Sequence, residues 1–122
     1  MTQRDYTTTN PEQSLRNTVI AVWTGFLGAA DSSNVWAGAD YADKTVNAYG
    51  DFTGGGSVKL QGTNDPLQAA ASWIDLTAVG GGALTFSAPG MKVMAENPYY
   101  IRCVPAGTLA GAAIAITGRR VR

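Results

Sequence analysis

At 122 residues the chain has the length of one domain and can fold around its own core without cross-links. Nine Lys and Arg balance nine Asp and Glu, so there is no excess positive charge to neutralise phosphates, and a general nucleic-acid binder is excluded. There is no histidine and one cysteine, which excludes a Ser-His-Asp triad, a Cys-His pair, an imidazole metal site and an internal disulfide.

Residues 1–17 are polar and show no hydrophobic period. Thr7-Thr8-Thr9-Asn10 offers no core-facing side chain, and Pro11 cannot donate a ladder hydrogen bond. Glu12 to Arg16 fits one helical turn after the Asn10-Pro11 start signal. The segment reads either as an extended arm that orders on contact, with Tyr6 and Leu15 as its apolar contacts, or as a plain disordered terminus. It lacks the apolar stretch of a secretory leader, so synthesis in a cytoplasm is expected. No run in the chain reaches the ~18 consecutive apolar residues of a membrane span.

From residue 18 the signals are those of strands. Thr18 to Phe26 is β-branched and aromatic; Gly28 to Asn34 reads as a loop; Val35-Trp36-Ala37 is a short edge. Lys44 to Phe52 alternates, with Gly50 as a bulge. Gly54-Gly55-Gly56 reverses the chain into Val58 to Gly62, a hairpin. Trp73 to Leu76, Ala83 to Phe86, Met91 to Met94, Tyr99 to Val104 and Ala112 to Thr117 follow, punctuated by Gly80-Gly81-Gly82, Ala88-Pro89-Gly90, Glu96-Asn97-Pro98 and Pro105-Ala106-Gly107. A basic tail, residues 119–122, ends the chain.

Short strands with turns every ~8–12 residues and no long amphipathic helix define an all-β antiparallel β-sandwich, jelly-roll or Ig-like, of about eight strands. The domain spans 18–118, between the arm (1–17) and the tail (119–122). Its expected core is Val19, Ala21, Trp23, Val46, Ala48, Val58, Leu60, Trp73, Leu76, Leu84, Phe86, Val93, Tyr100, Ile101, Val104, Ile114 and Ile116, with registry left to decide between Tyr100 and Ile101. Cys103 is expected to be a small buried hydrophobe.

Little in the chain points to chemistry. Asp40 and Asp43 sit in a polar loop beside Lys44, and alternation turns Asp75 outward. Asn64 and Asp65 have oxygens for a calcium ion, but their setting is that of an Asx turn. No cofactor is expected, and the chain is expected not to be an enzyme. The aromatics Trp36, Tyr41, Tyr49 and Tyr99 are candidate contact residues, for a sugar or for another protein surface. A charged fraction of only 15% fits a surface partly hidden against partners.

Three local patterns occur together: Val58-x-Leu60-Gln61-Gly62-Thr63-Asn64-Asp65 followed by Trp73-Ile74-Asp75-Leu76; Leu84 to Gly90; and Glu96-Asn97-Pro98-Tyr99-Tyr100-Ile101-Arg102. Over roughly residues 45–105 this resembles small all-β structural proteins of tailed bacteriophages. The insert Pro66 to Ala71 departs from the short Gly-containing loop usual there. The resemblance implies a virion component that decorates or cements the capsid, commonly as a trimer. Its partners would be the major capsid protein and further copies of itself, with neither membrane nor nucleic acid involved. The interface residues expected are Tyr6, Leu15, Trp36, Tyr41 and Tyr99. A glycan-binding module of a tail or fibre and a head–tail connector or tail subunit are the alternatives.

Overall fold

Side chains in the long strands alternate between buried and part-exposed, and this period of two assigns each of them one face to the core. The structure, a computed structural model, describes residues 2–9 and 18–120. Twelve strands occur among them: β1 (Thr2–Arg4), β2 (Thr7–Thr9), β3 (Thr18–Gly28), β4 (Asp31–Ser33), β5 (Trp36–Ala37), β6 (Tyr41–Gly50), β7 (Ser57–Thr63), β8 (Ile74–Asp75), β9 (Thr85–Phe86), β10 (Gly90–Val93), β11 (Tyr100–Ala106) and β12 (Thr108–Arg120). A single 3₁₀ turn, Ala70–Ser72, lies before β8.

Two five-stranded arrays form the sandwich. The first has the order β10-β6-β12-β3-β2; the second runs β5-β11-β7-β8, with β9 also pairing with β7. From β5 to β7 and again from β10 to β12, consecutive strands alternate between the two sheets, and the last strand inserts between β3 and β6. This is the jelly-roll topology, and it resolves the choice between jelly roll and Ig-like. The all-β sandwich expected from the strand pattern is the observed fold.

The core between the sheets includes Trp23, Phe26, Leu60, Leu84, Ile101, Ile114 and Ile116, all fully buried. Ile101 faces in and Tyr100 is half-buried, which settles the registry. Three expected core residues do not belong to it. Val93 is 45% exposed, because it lies on the outer side of the edge strand β10, and Tyr100 and Val104 fall on the outer phase of β11. Phe26, Trp36, Phe52, Ala78, Met94, Cys103 and Leu109 join the core unforeseen or, for Cys103, as expected.

Three local readings change. Residues 2–4 and 7–9 of the expected arm are strands: β1 pairs in parallel with β4, and β2 pairs antiparallel with β3. Their threonines supply backbone ladder bonds at an edge, a role that needs no core side chain. The expected loop from Gly28 to Asn34 contains β4 for the same reason. Finally, β11 continues through Pro105 to Ala106, and Gly107 (φ +70°) turns the chain into β12.

Candidate interaction surface

The expected interface aromatics separate on folding. Trp36 is only 4% exposed and stacks on Tyr41, ring centroids 6.0 Å apart at 24°. Its place as a surface contact residue is therefore corrected: β5 is so short that its one inward side chain fills the end of the core. Tyr41 is half-buried, and its outer side carries Arg120, whose guanidinium lies 5.7 Å from the ring. Tyr6 packs on Trp23 at 5.8 Å, and its amide shares the Asn34 Oδ1 acceptor (2.9 Å) with Trp23 Nε1 (3.0 Å). It is a staple between β1, β2 and the sandwich. Tyr99 stays 51% exposed, edge-on to Tyr100 at 4.6 Å. Leu15 lies outside the described residues.

The motifs that carry the phage resemblance turn out to be staples between loops and strands. Glu96 accepts the Thr77 amide (2.9 Å) and hydroxyl (2.5 Å), bonds that outweigh its partial burial and keep its carboxyl below the ordinary range. Asn97 Oδ1 accepts a hydrogen bond from Lys44, whose Nζ also donates to the Tyr41 carbonyl at 2.5 Å. Lys44 is 2% exposed and has no carboxylate among its hydrogen-bond partners, so burial lowers its pKa to about 8. Pro98 lies against Gly62, where a Cβ would come within 2.4 Å of the Pro98 ring. Asn64 Oδ1 accepts the Tyr99 amide at 2.8 Å, and the Asp65 carboxylate accepts the Ala69 (2.9 Å) and Leu67 (3.0 Å) amides, which lower its pKa. The Asx turn is thus the observed use of these side chains.

The two outer faces of the sandwich differ in charge. On the second sheet, Arg102 stacks over Trp73 at 4.2 Å and donates to Gln61 Oε1 through Nε (3.0 Å) and Nη2 (2.8 Å). Asp75 accepts from Gln61 Nε2 at 2.9 Å and pairs with Lys59 at 3.2 Å; these contacts hold its carboxyl low. This face is a solvent-exposed network of charged and polar side chains.

On the first sheet the register builds two rows without any charge. One runs Thr7, Val22, Ala115, Asn47, Met91 across all five strands; the next runs Ile20, Thr117, Thr45, Val93 across four. Ala113 and Tyr49 form a partial third row, with Tyr49 40% and Met91 65% exposed. Arg119 and Asp43, paired at 2.7 Å, stand at one margin of these rows, and the exposed Asp5 lies two residues before Thr7. Lys44 and Lys92 on the same strands point the other way: Lys92 Nζ donates to the Thr85 carbonyl at 3.0 Å and lies over Phe86. This sheet face carries no charge along its described rows and is half-buried across its middle strands. Sequence reasoning missed it, since its members come from five strands far apart in the chain.

No protein-family model matches the chain, and no curated protein matches it. Among solved structures it is similar to the SPBc2 prophage-derived protein YomS, with a TM-score of 0.55 at 8% identity, covering 83% of this chain and 93% of that one. It is also similar to CoII HppE in complex with Tris buffer, with a TM-score of 0.50 at 8% identity over 93% of this chain; it spans about half (51%) of that protein. The cupin domain of Schizosaccharomyces pombe Cnp3 aligns at a TM-score of 0.46 and 10% identity, covering 95% and 60% of the two chains. These likenesses are of fold. They correct the expectation that the chain is not an enzyme: HppE is hydroxypropylphosphonic acid epoxidase, so this architecture is one that carries catalysis. A metal ion has no ready ligand set: the chain has no histidine, and no three His, Cys, Asp or Glu side chains gather among the described residues. Among the described residues, no helix is long and apolar enough to cross a membrane.

Proposed function

We propose that this chain is a structural protein of a bacteriophage virion that binds the capsid surface as a decoration or cement protein, made in the host cytoplasm and active in association with other protein surfaces. The observation that carries this reading is the uncharged outer face of the first sheet, set against the charged outer face of the second. Uncharged rows that are half-buried in the middle and end in the exposed Met91 and Val93 gain free energy when a partner covers them, at roughly 25 cal/mol per Å² of apolar area. The shared fold with a prophage-derived protein supports the setting. So does the net charge of zero, which leaves little repulsion between copies crowded on a shell.

The glycan-binding alternative named Trp36, Tyr41, Tyr49 and Tyr99 as platforms; Trp36 is buried and Tyr41 half-buried, while Tyr49 and Tyr99 stay exposed. Cement action needs many modest contacts acting together, since bound neighbours raise the effective concentration of each further contact. The test is co-sedimentation of the purified chain with undecorated shells of the encoding phage. Saturable binding that protects the shells against heat is expected. Chains left wholly in the supernatant at saturating concentration would overturn the reading.

A further inference from the structure

We infer that the chain carries a self-modification site: the Lys44 amine and the Asn97 carboxamide join in an isopeptide bond with loss of ammonia, tying the first sheet to the turn that enters the second. Lys44 is on β6 and only 2% exposed; Asn97 is on the turn between β10 and β11. Lys44 Nζ donates to Asn97 Oδ1, and the carbon to be attacked, Cγ, lies one C=O bond (~1.23 Å) beyond that oxygen. The contact is particular to this lysine. Lys59 pairs with the exposed Asp75, and Lys92 donates to the carbonyls of Ala83 and Thr85.

Three features fit the pair for reaction. First, burial lowers the amine to a pKa of about 8, so part of it is the neutral nucleophile near neutral pH. Second, both partners are clamped. The Met94 amide donates to the Lys44 carbonyl at 2.9 Å, Ala95 and Glu96 both bond Thr77, Pro98 packs on Gly62, and the Tyr99 amide is held by Asn64. A turn fixed on both sides of Asn97 keeps the carboxamide on the amine, the proximity that gives intramolecular reactions their high effective molarity. Third, the usual competitor is blocked. An asparagine side chain is otherwise attacked by the next residue's backbone N–H, and Pro98 has none.

The step balances without a co-reactant. Neutral Nζ attacks Cγ; the Nζ–Cγ bond forms and the Cγ–Nδ2 bond breaks. One Nζ proton passes through solvent water to the leaving nitrogen, which departs as ammonia from the exposed Asn97. The N–H that remains keeps the Tyr41 carbonyl as its acceptor. A buried ammonium with no carboxylate among its hydrogen-bond partners is thereby replaced by a neutral amide, which removes a desolvation cost. Glu96 is held by Thr77 and does not relay the proton, so the bond closes slowly after folding, and Lys44 titrates until it does. The joined residues are 53 positions apart, and the closed loop lowers the entropy of the unfolded chain.

The experiment is intact-mass spectrometry of the full chain, freshly purified and after about one week at about pH 9, where the Lys44 amine is mostly neutral. The expected result is a species lighter by one ammonia that grows with time and persists in denaturant. Its protease digest should contain a branched peptide joining Lys44 to Asn97. Asn97→Ala, on an exposed turn, and Lys44→Met should keep their full mass over the same period, with thermal melting to show that each is folded. Wild-type chain that stays at full mass throughout would overturn the proposal. So would ammonia loss without the branched peptide, which places the loss at another residue, or equal loss in a folded variant. The branched peptide in wild type decides the matter by itself if a variant fails to fold.

Discussion

Lys44 shows how a single side chain is placed by its surroundings. Its ammonium is closed in under Tyr41 and bonded to a carbonyl and an amide oxygen, with no carboxylate among those partners to offset desolvation. Its pKa falls from 10.5 to about 8, so between those values the unfolded chain binds more protons than the folded one. Stability from this residue therefore rises with pH from about 8 to 10.5. Urea midpoints compared between wild type and Lys44→Met at pH 7, 8.5 and 10 isolate the effect; the difference should move in favour of wild type as pH rises, and a flat difference refutes it. Cys103 titrates in the opposite sense, its thiol pushed up by burial, which is why the comparison needs the variant. Trp36 gives a simpler outcome. Trp36→Ala empties a core site and should cost about 3–5 kcal/mol in chemical denaturation, so loss of any binding in that variant reports unfolding.

At the scale of the element, Gly62 in β7 is fixed by space. A methyl there would meet the Pro98 ring at 2.4 Å and Leu76 at 3.0 Å, and so push the Glu96-Asn97-Pro98 turn off the strand. Gly62→Ala should destabilise by about 1–3 kcal/mol, read from denaturant midpoints, and weaken amide protection at Tyr99, which Asn64 holds. Much of this element-level design is legible in the chain. Alternation in Val58 to Gln61 and Thr45 to Ala48 assigns their inward faces, and the turn residues mark most strand ends. Less legible are β1, β2 and β4: they are polar, short and stabilised by ladder bonds to residues elsewhere in the chain, so no local hydrophobic period announces them. For the same reason Trp36 reads as exposed, since a two-residue strand is too short to show a period.

For the whole molecule, the position of residues 2–9 alters what truncation does. Removing them takes β2 from the edge of the first sheet and Tyr6 from Trp23, and it bares the long strand β3 as an open edge. A chain beginning at residue 18 should lose about 1 kcal/mol from the half-buried tyrosine alone and aggregate more readily on heating, as seen by light scattering. Full stability in that chain would show the two strands to be dispensable.

The sequence by itself determined the class of fold and the inward residues of most long strands, because both follow from neighbours two apart in the chain. It also determined the absence of histidine and the balance of charge. Only the tertiary structure decided the jelly-roll order, the burial of Trp36 and the strand state of residues 2–4 and 7–9. It alone decided that Thr7, Val22, Ala115, Asn47 and Met91 share one uncharged row. Each of these depends on register between strands tens of residues apart, and register is set by the packing of the whole core, which no local stretch of chain contains.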